Sequence, residues 1–237
     1  MTETEVNDVV IRCENIHKTY TDGNRKIEVL KGINLEVKRG ELVAIVGTSG
    51  CGKTTLLNVL STLDRPTKGH VFIDDEEISG LDENKLTEIR LKKVGMVFQD
   101  FYLIPVLSAL ENVQVPLIFA NYSEDIRLKR AASLLDAVDM RNHADHRPNE
   151  LSGGQRQRIS IARALANDPV IIFADEPTGN LDSITGAKII DIFRMLAIAQ
   201  KKAILMVTHD SEAANKAHRI LVLKDGVVSQ QIEKNSD

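Results

Sequence analysis

The 237 residues are 43% hydrophobic and 27% charged, which suits one globular unit with an ample core. A net charge of −4 argues against a broad nucleic-acid surface, and two cysteines, Cys13 and Cys51, argue against a disulfide framework or zinc site and suit a reducing cytosol. The acidic start MTETEVNDVV lacks an apolar signal core, and no apolar run nears the roughly 20 residues that span a bilayer, so the chain is expected to dock on a membrane protein at most.

Residues 9–46 alternate as strands: VVIRCENI, INLEV and ELVAIV, with Gly40 marking a turn before the last. The stretch IVGTSGCGKTT then spans Ile45 to Thr55. Gly47, Gly52, Lys53 and Thr54 fit G-x-x-x-x-G-K-[ST] between a strand and a predicted helix over 53–61, the context that confirms a phosphate loop. Glycines let the backbone wrap a phosphate, and the amides converge on its oxygens. The candidate nucleotide-binding residues are therefore Gly47, Thr48, Ser49, Gly50, Cys51, Gly52, Lys53, Thr54 and Thr55. Lys53 should reach the β- and γ-phosphates, and the Thr54 hydroxyl should bind Mg²⁺. A nearby lysine and a helix start favour a reactive Cys51 thiolate, but the simpler reading is a small residue lending its amide.

GHVFID reads as a strand, NKLTEIRLKK as a helix and VGMVF as a strand. Between 102 and 168 the pattern turns helical and irregular. Ser108 and Glu111 spell a capping box, and Ile126, Ala131, Leu134, Leu135 and Val138 recur at helical spacing over 124–138. Phe101, Tyr102, Leu103, Ile104, Val106 and Leu107 are either a small local core or a groove for a partner's short helix. His143 and His146 read as solvated loop residues.

LSGGQ at 151–155 precedes RQRISIARALA. Ser152 fits an N-cap with Gln155 three residues on, and Ile159, Ala162, Leu165 and Ala166 mark the buried stripe. Arg156 and Arg158 sit where the helix dipole disfavours cations, a conflict that a bound anion relieves. Capping does not require two adjacent glycines.

The strand–helix rhythm then resumes: strand 170–174, helix 184–199, strand 203–207, helix 211–217 and strand 219–223. This argues for a mainly parallel sheet with 102–168 as a helical insertion. VIIFADEP delivers Asp175 and Glu176 to the sheet's carboxyl edge, where ligands bind in open α/β folds. Asp175 can hold Mg²⁺, leaving Glu176 to orient or deprotonate water. No guanine-reading Asn-Lys-x-Asp is present, so adenine is the expected base.

LSGGQ, a strand ending in Asp-Glu and an upstream phosphate loop together resemble the ATP-binding-cassette (ABC) family over roughly residues 9–229. The resemblance implies an α/β phosphate-loop NTPase core, an N-terminal antiparallel β subdomain and an inserted α-helical subdomain. One nucleotide-binding domain is expected, with its core at about 9–101 and 169–229 and its helical part at about 102–168. It implies ATP and Mg²⁺, and two copies paired head to tail. Ser152, Gly153, Gly154 and Gln155 of one copy would then complete the partner's ATP site. Tyr20 in HKTY would stack on adenine. Gln99 would meet Mg²⁺ and the water and relay motion to the insertion. Asp182 would lie at the dimer seam, and His209 in VTHD would touch the γ-phosphate.

LDRPTKGHVFIDD, VFQDFYLIPVLSALENVQVPL and DEPTGNLDS resemble the lipoprotein-releasing, macrolide- and peptide-exporting and cell-division branch. That branch implies a separate membrane-spanning partner, a place on the cytoplasmic face and no nucleic acid. Thr48, Cys51 and Thr54 depart from the frequent Pro, Ser and Ser, compatibly. A soluble cassette acting on ribosomes or DNA would bring tandem cassettes or a long coiled coil, and a nucleotide kinase would have no use for LSGGQ. Neither feature pattern fits.

Overall fold

A computed structural model describes residues 8–23 and 25–234; residues 1–7 of the acidic start lie outside them. The chain opens with a long antiparallel hairpin, β1 (Val9–Asp22) and β2 (Arg25–Lys38). It continues through β3 (Leu42–Val46), α1 (Lys53–Leu60), β4 (Lys68–Ile73), β5 (Glu76–Glu77), α2 (Glu83–Lys93) and β6 (Val94–Phe98). A helical stretch follows: α3 (Ala109–Phe119), α4 (Glu124–Ala137), two short 3₁₀ turns and α5 (Gly153–Ala164). The last third is β7 (Ile171–Asp175), α6 (Ser183–Gln200), β8 (Ala203–Val207), α7 (Ser211–Asn215), β9 (Arg219–Lys224) and β10 (Val227–Glu233).

Two sheets result. The order β2-β1-β4-β5 makes an antiparallel sheet, and β10-β9-β3-β8-β7-β6 makes the larger one. In the latter β3, β6, β7, β8 and β9 run parallel, and β10 folds back antiparallel on β9. The apolar runs LVAI, IIFA and AILMV are buried because both faces of this sheet are covered. Alternate residues feed opposite cores. Val43, Ile45, Phe173 and Leu205 join the layer with α1, α2 and the antiparallel sheet. Leu42, Ala44, Ile172 and Ile204 join the layer with α3–α7. Phe173 is fully buried in β7. Phe173→Ala is expected to cost about 3–5 kcal/mol of unfolding free energy in a denaturant titration, and a loss under about 1 kcal/mol would contradict this packing.

Several expectations need correction. The first hairpin is longer than its apolar segments, and β5 and β10 carry too many polar residues to have been read as strands. The strand expected at 170–174 is shifted by one, so Asp175 is its last residue. Of the apolar positions at helical spacing over 124–138, Ile126 is exposed because α4 turns it outward, whereas Ala131 and Leu135 are buried.

Candidate nucleotide site and signature helix

The site lies where parallel strands end. After β3 the chain turns through the phosphate loop and enters α1 at Lys53, with Gly52 at the N-cap. A side chain at Gly47 would put its Cβ 2.2 Å from the Leu223 carbonyl, so only glycine lets the loop pass β9. Lys53 Nζ donates to the Gly47 and Thr48 carbonyls at 3.0 and 3.1 Å, folded across the loop. Thr48, Ser49, Gly50 and Thr54 are exposed, and Thr55 is half-buried. Cys51 is free and buried, with its carbonyl accepting from Gly226 N.

Two strands away in the sheet, β7 brings up its carboxylates. The Thr54 hydroxyl donates to Asp175 Oδ1 at 3.4 Å. Burial and the neighbouring Glu176 charge push the Asp175 carboxyl above the usual range, against the opposing pull of Thr54 and Lys53. A raised pKa makes ionisation cost stability; the cost is absent below the ordinary value of 3.8 and complete above the raised one. Asp175→Asn without ligands should therefore melt higher than the parent at pH 7–8, with the difference closing as the pH falls below about 4. Equal melting curves at pH 7 would contradict it.

Glu176 stands in the left-handed region at φ 46°, a conformation that costs on the order of 1 kcal/mol or more in a non-glycine residue. Its Oε2 lies 2.9 Å from His209 Nδ1 and accepts from His209 N at 3.2 Å. The carboxylate is largely buried while the His209 side chain is exposed. Gln99, just past β6, donates from Nε2 to Asn180 Oδ1 at 3.2 Å. Asn180 Nδ2 returns bonds to Gln99 O and Asp100 Oδ1, at 3.1 and 2.9 Å. Thus β3, β6, β7 and β8 bring Lys53, Gln99, Asp175, Glu176 and His209 to one edge. Asp182 is exposed and caps α6 by accepting from Thr185 N at 2.9 Å.

Tyr20 lies within β1 opposite Ile27. Its hydroxyl donates to Asp64 Oδ2 at 2.8 Å, Lys18 Nζ donates to Asp64 Oδ1 at 2.6 Å, and Lys18 lies 4.8 Å from the Tyr20 ring centre. Asp64 follows α1 closely, so one helix ties the phosphate loop to the exposed tyrosine.

Beside the edge strand β6, Ser152 caps α5. Its Oγ accepts from Gln155 N at 3.3 Å, and Gln155 Oε1 accepts from Ser152 N at 2.8 Å. Ser152 is exposed. The paired glycines have a reason within the chain. A Cβ at Gly154 would lie 2.3 Å from Thr185 Cγ2, and one at Gly153 3.1 Å from Leu181 Cδ2, so the glycines seat α5 against α6 and the loop before it. Arg158 pairs with Asp139 at 3.3 Å, and Arg156 lies over Phe101 at 4.9 Å. His143 corrects its reading as a solvated residue: it is half-buried, and its Nε2 lies 3.0 Å from Gln155 Nε2, because the 3₁₀ turn Arg141–His143 lays it on the first turn of α5. His146 is exposed, as expected.

A family model described as "ABC transporter" matches residues 30–179. The chain is 49% identical over 226 residues to the ABC transporter ATP-binding protein MJ0796 of Methanocaldococcus jannaschii, covering 94% of this chain and 96% of that one. The chain belongs to the ABC transporter ATPase family. A structure described as the dimeric post-hydrolysis state of the MJ0796 cassette bound to ADP and Pi superposes with a TM-score of 0.88 at 47% identity, over 96% of this chain and 100% of that one. The lipoprotein-releasing system ATP-binding protein LolD of Saccharophagus degradans is 42% identical, over 94% of this chain and 97% of its own. The macrolide export ATP-binding/permease protein MacB of Bartonella henselae is 45% identical over 96% of this cassette, which spans 34% of MacB.

The cassette also holds residues that sequence reasoning missed. Asp64, 44 positions on in sequence, bonds the Tyr20 hydroxyl and is itself held by Lys18, a link that no local pattern shows. Asn112 is fully buried; it accepts from Ile104 N at 2.7 Å and donates to the Ile104, Leu107 and Ser108 carbonyls at 2.9–3.1 Å. It thereby fixes the loop carrying exposed Ile104 and Val106. Arg163 of α5 donates to the Phe101 and Tyr102 carbonyls, both in left-handed residues.

Proposed function

We propose that this ABC ATPase is the energy-supplying subunit of an exporter or mechanotransmission complex, acting as a head-to-tail pair on the cytoplasmic face beneath a separate membrane-spanning partner. The observation that carries the pairing is the placement of two exposed anion sites. The phosphate loop follows β3, whereas α5 packs against β6, three strand spacings away, roughly 14 Å across the sheet. Ser152 cannot cap a phosphate held by its own loop at that separation. A second copy, turned head to tail, brings its Ser152, Gly153 and Gln155 to the open face of the loop, and Asp182 near the seam. The dimeric MJ0796 cassette with ADP and Pi supports this arrangement.

In this reading the amides of residues 47–55 and the Lys53 ammonium hold the phosphates, and Tyr20 offers its ring to adenine. Lys53 must swing off the Gly47 and Thr48 carbonyls to reach the γ-phosphate. Glu176, braced by His209, accepts the proton of the water that attacks phosphorus in line. His209 faces the γ-phosphate, and the partner's α5 amides stabilise the developing charge. Products are ADP and phosphate. The donors present fit Mg²⁺: one disfavoured carboxylate, Asp175, with the Thr54 hydroxyl beside it and Gln99 nearby, all hard oxygen ligands that leave room for phosphate oxygens and water. When bound, Mg²⁺ neutralises phosphate charge.

No helix among the described residues is long and apolar enough to cross a membrane. A groove of about 340 Å³ beside the edge strand β6 suits a membrane-spanning partner. It is lined by Leu91, Met96, Tyr102, Pro116, Arg163 and Asn167, among others, with Tyr102 61% exposed. The apolar stretch after β6 thus divides: Phe101 is core, while Tyr102, Ile104 and Val106 face outward. The test is capture of a tagged Glu176→Gln chain from detergent-solubilised native membranes with ATP. Co-purification of a protein with few spans and a large outer domain is expected. Recovery of soluble partners alone would overturn the reading.

A further inference from the structure

Gln157 lies one turn into α5, past the Ser152–Gln155 cap, and is fully buried. Its Nε2 donates to the Pro177 carbonyl at 2.6 Å and to the Phe98 carbonyl at 3.2 Å. Both partners accept, so the amide must point its NH₂ this way, and both of its N–H groups are used. Its Oε1 is buried and accepts from no group among the described residues.

The two carbonyls are informative. Phe98 immediately precedes Gln99, and Pro177 immediately follows Glu176. The amide therefore clamps two catalytic strand ends to the helix that carries the signature residues. Arg163, further along α5, holds the Phe101 and Tyr102 carbonyls, so the helix grips residues 98–102 at both ends. Gly179 packs so tightly on Gln99 that an added Cβ would lie 2.9 Å from its Nε2. A shift of α5 along its axis must move the chain on both sides of the water-activating pair.

We propose that Gln157 is a positioning residue that couples the two nucleotide sites: a γ-phosphate of the partner's ATP seats the start of α5, and Gln157 passes that seating to Gln99 and Glu176 of its own chain. This rests on the head-to-tail reading above. Each site then reaches its hydrolytic geometry only when the opposite ATP is bound. A displacement of about 1 Å at the reacting centre is enough to cost on the order of 10²-fold in rate. Two discrete seatings of one helix, biased by one site and read by the other, are what coupling between sites requires.

The experiment compares the wild-type chain with Gln157→Leu and Gln157→Met, which fill the space without N–H groups. Phosphate release is measured against ATP concentration, with melting temperature and ATP affinity as controls. The wild type should approach a Hill coefficient of about 2, the number of sites. Both variants should lose about 10- to 100-fold in kcat, keep ATP affinity within about twofold and drop toward a Hill coefficient of about 1. Light scattering of Glu176→Gln/Gln157→Leu in ATP should still show a dimer. Wild-type kcat and cooperativity in both variants would overturn the coupling. So would parallel loss of melting temperature, ATP affinity and kcat, which would mark a merely structural role. A wild-type chain that stays monomeric in ATP and hydrolyses without cooperativity would remove the head-to-tail reading itself, and the coupling with it.

Discussion

Replacing Glu176 by Gln is expected to cut ATP turnover by about 10²–10⁴-fold while leaving ATP binding intact. Gln keeps the shape and can still bond His209 N, but it cannot take a proton from water. The left-handed backbone at Glu176 places the carboxylate beyond the strand end, and His209 holds the oxygen from β8. Phosphate release under single-turnover conditions checks the chemical step directly. Nucleotide binding by the same chain checks the remainder of the site. In the proposed pair both copies grip the γ-phosphate, so bound ATP that is not cleaved should also hold two chains together. Turnover within about threefold of the parent would show that another residue activates the water.

Ser152→Arg is expected to reduce turnover by at least about 10²-fold, the cost of losing one preorganised donor at a developing anion, with added bulk at the seam. ATP affinity of the single chain should hold, since the phosphate loop lies three strands away. Loss of the cap alone costs about 1 kcal/mol of stability. Ser152→Ala loses the same cap and hydroxyl without the bulk or the charge, so the further loss in the Arg variant measures what bulk and charge do at the seam. The pair should melt alike, and the Arg variant should hydrolyse far less. Retained turnover in the Arg variant would mean that Ser152 serves only its own helix.

Much of the fold was legible because its signals are local. The phosphate loop has fixed spacing, and the five-residue apolar strands end at the residues they deliver. Ser152 and Gln155 announced their helix by a pattern that the hydrogen bonds bear out. What escaped depends on distance in sequence. Tyr20 is steadied by Asp64, and Asn112 pins residues 104–108 from inside α3; neither follows a period. Gln157 escaped because α5 is buried over a wider arc than one amphipathic stripe, with Gln157, Ser160 and Ile161 inside as well as Ile159 and Ala162. The glycines of LSGGQ show the reverse. Their sequence pointed only to an anion, and packing against Thr185 and Leu181 adds a second demand on the same positions.

The head-to-tail pairing is tested most directly by the solution mass of Glu176→Gln with and without ATP and Mg²⁺, compared with the Glu176→Gln/Ser152→Arg double variant. The single variant should double its mass when ATP is added, and the double variant should bind one ATP per chain yet stay monomeric. A single variant that remains monomeric in saturating ATP, or a double variant that dimerises as readily, would contradict a site shared between two copies.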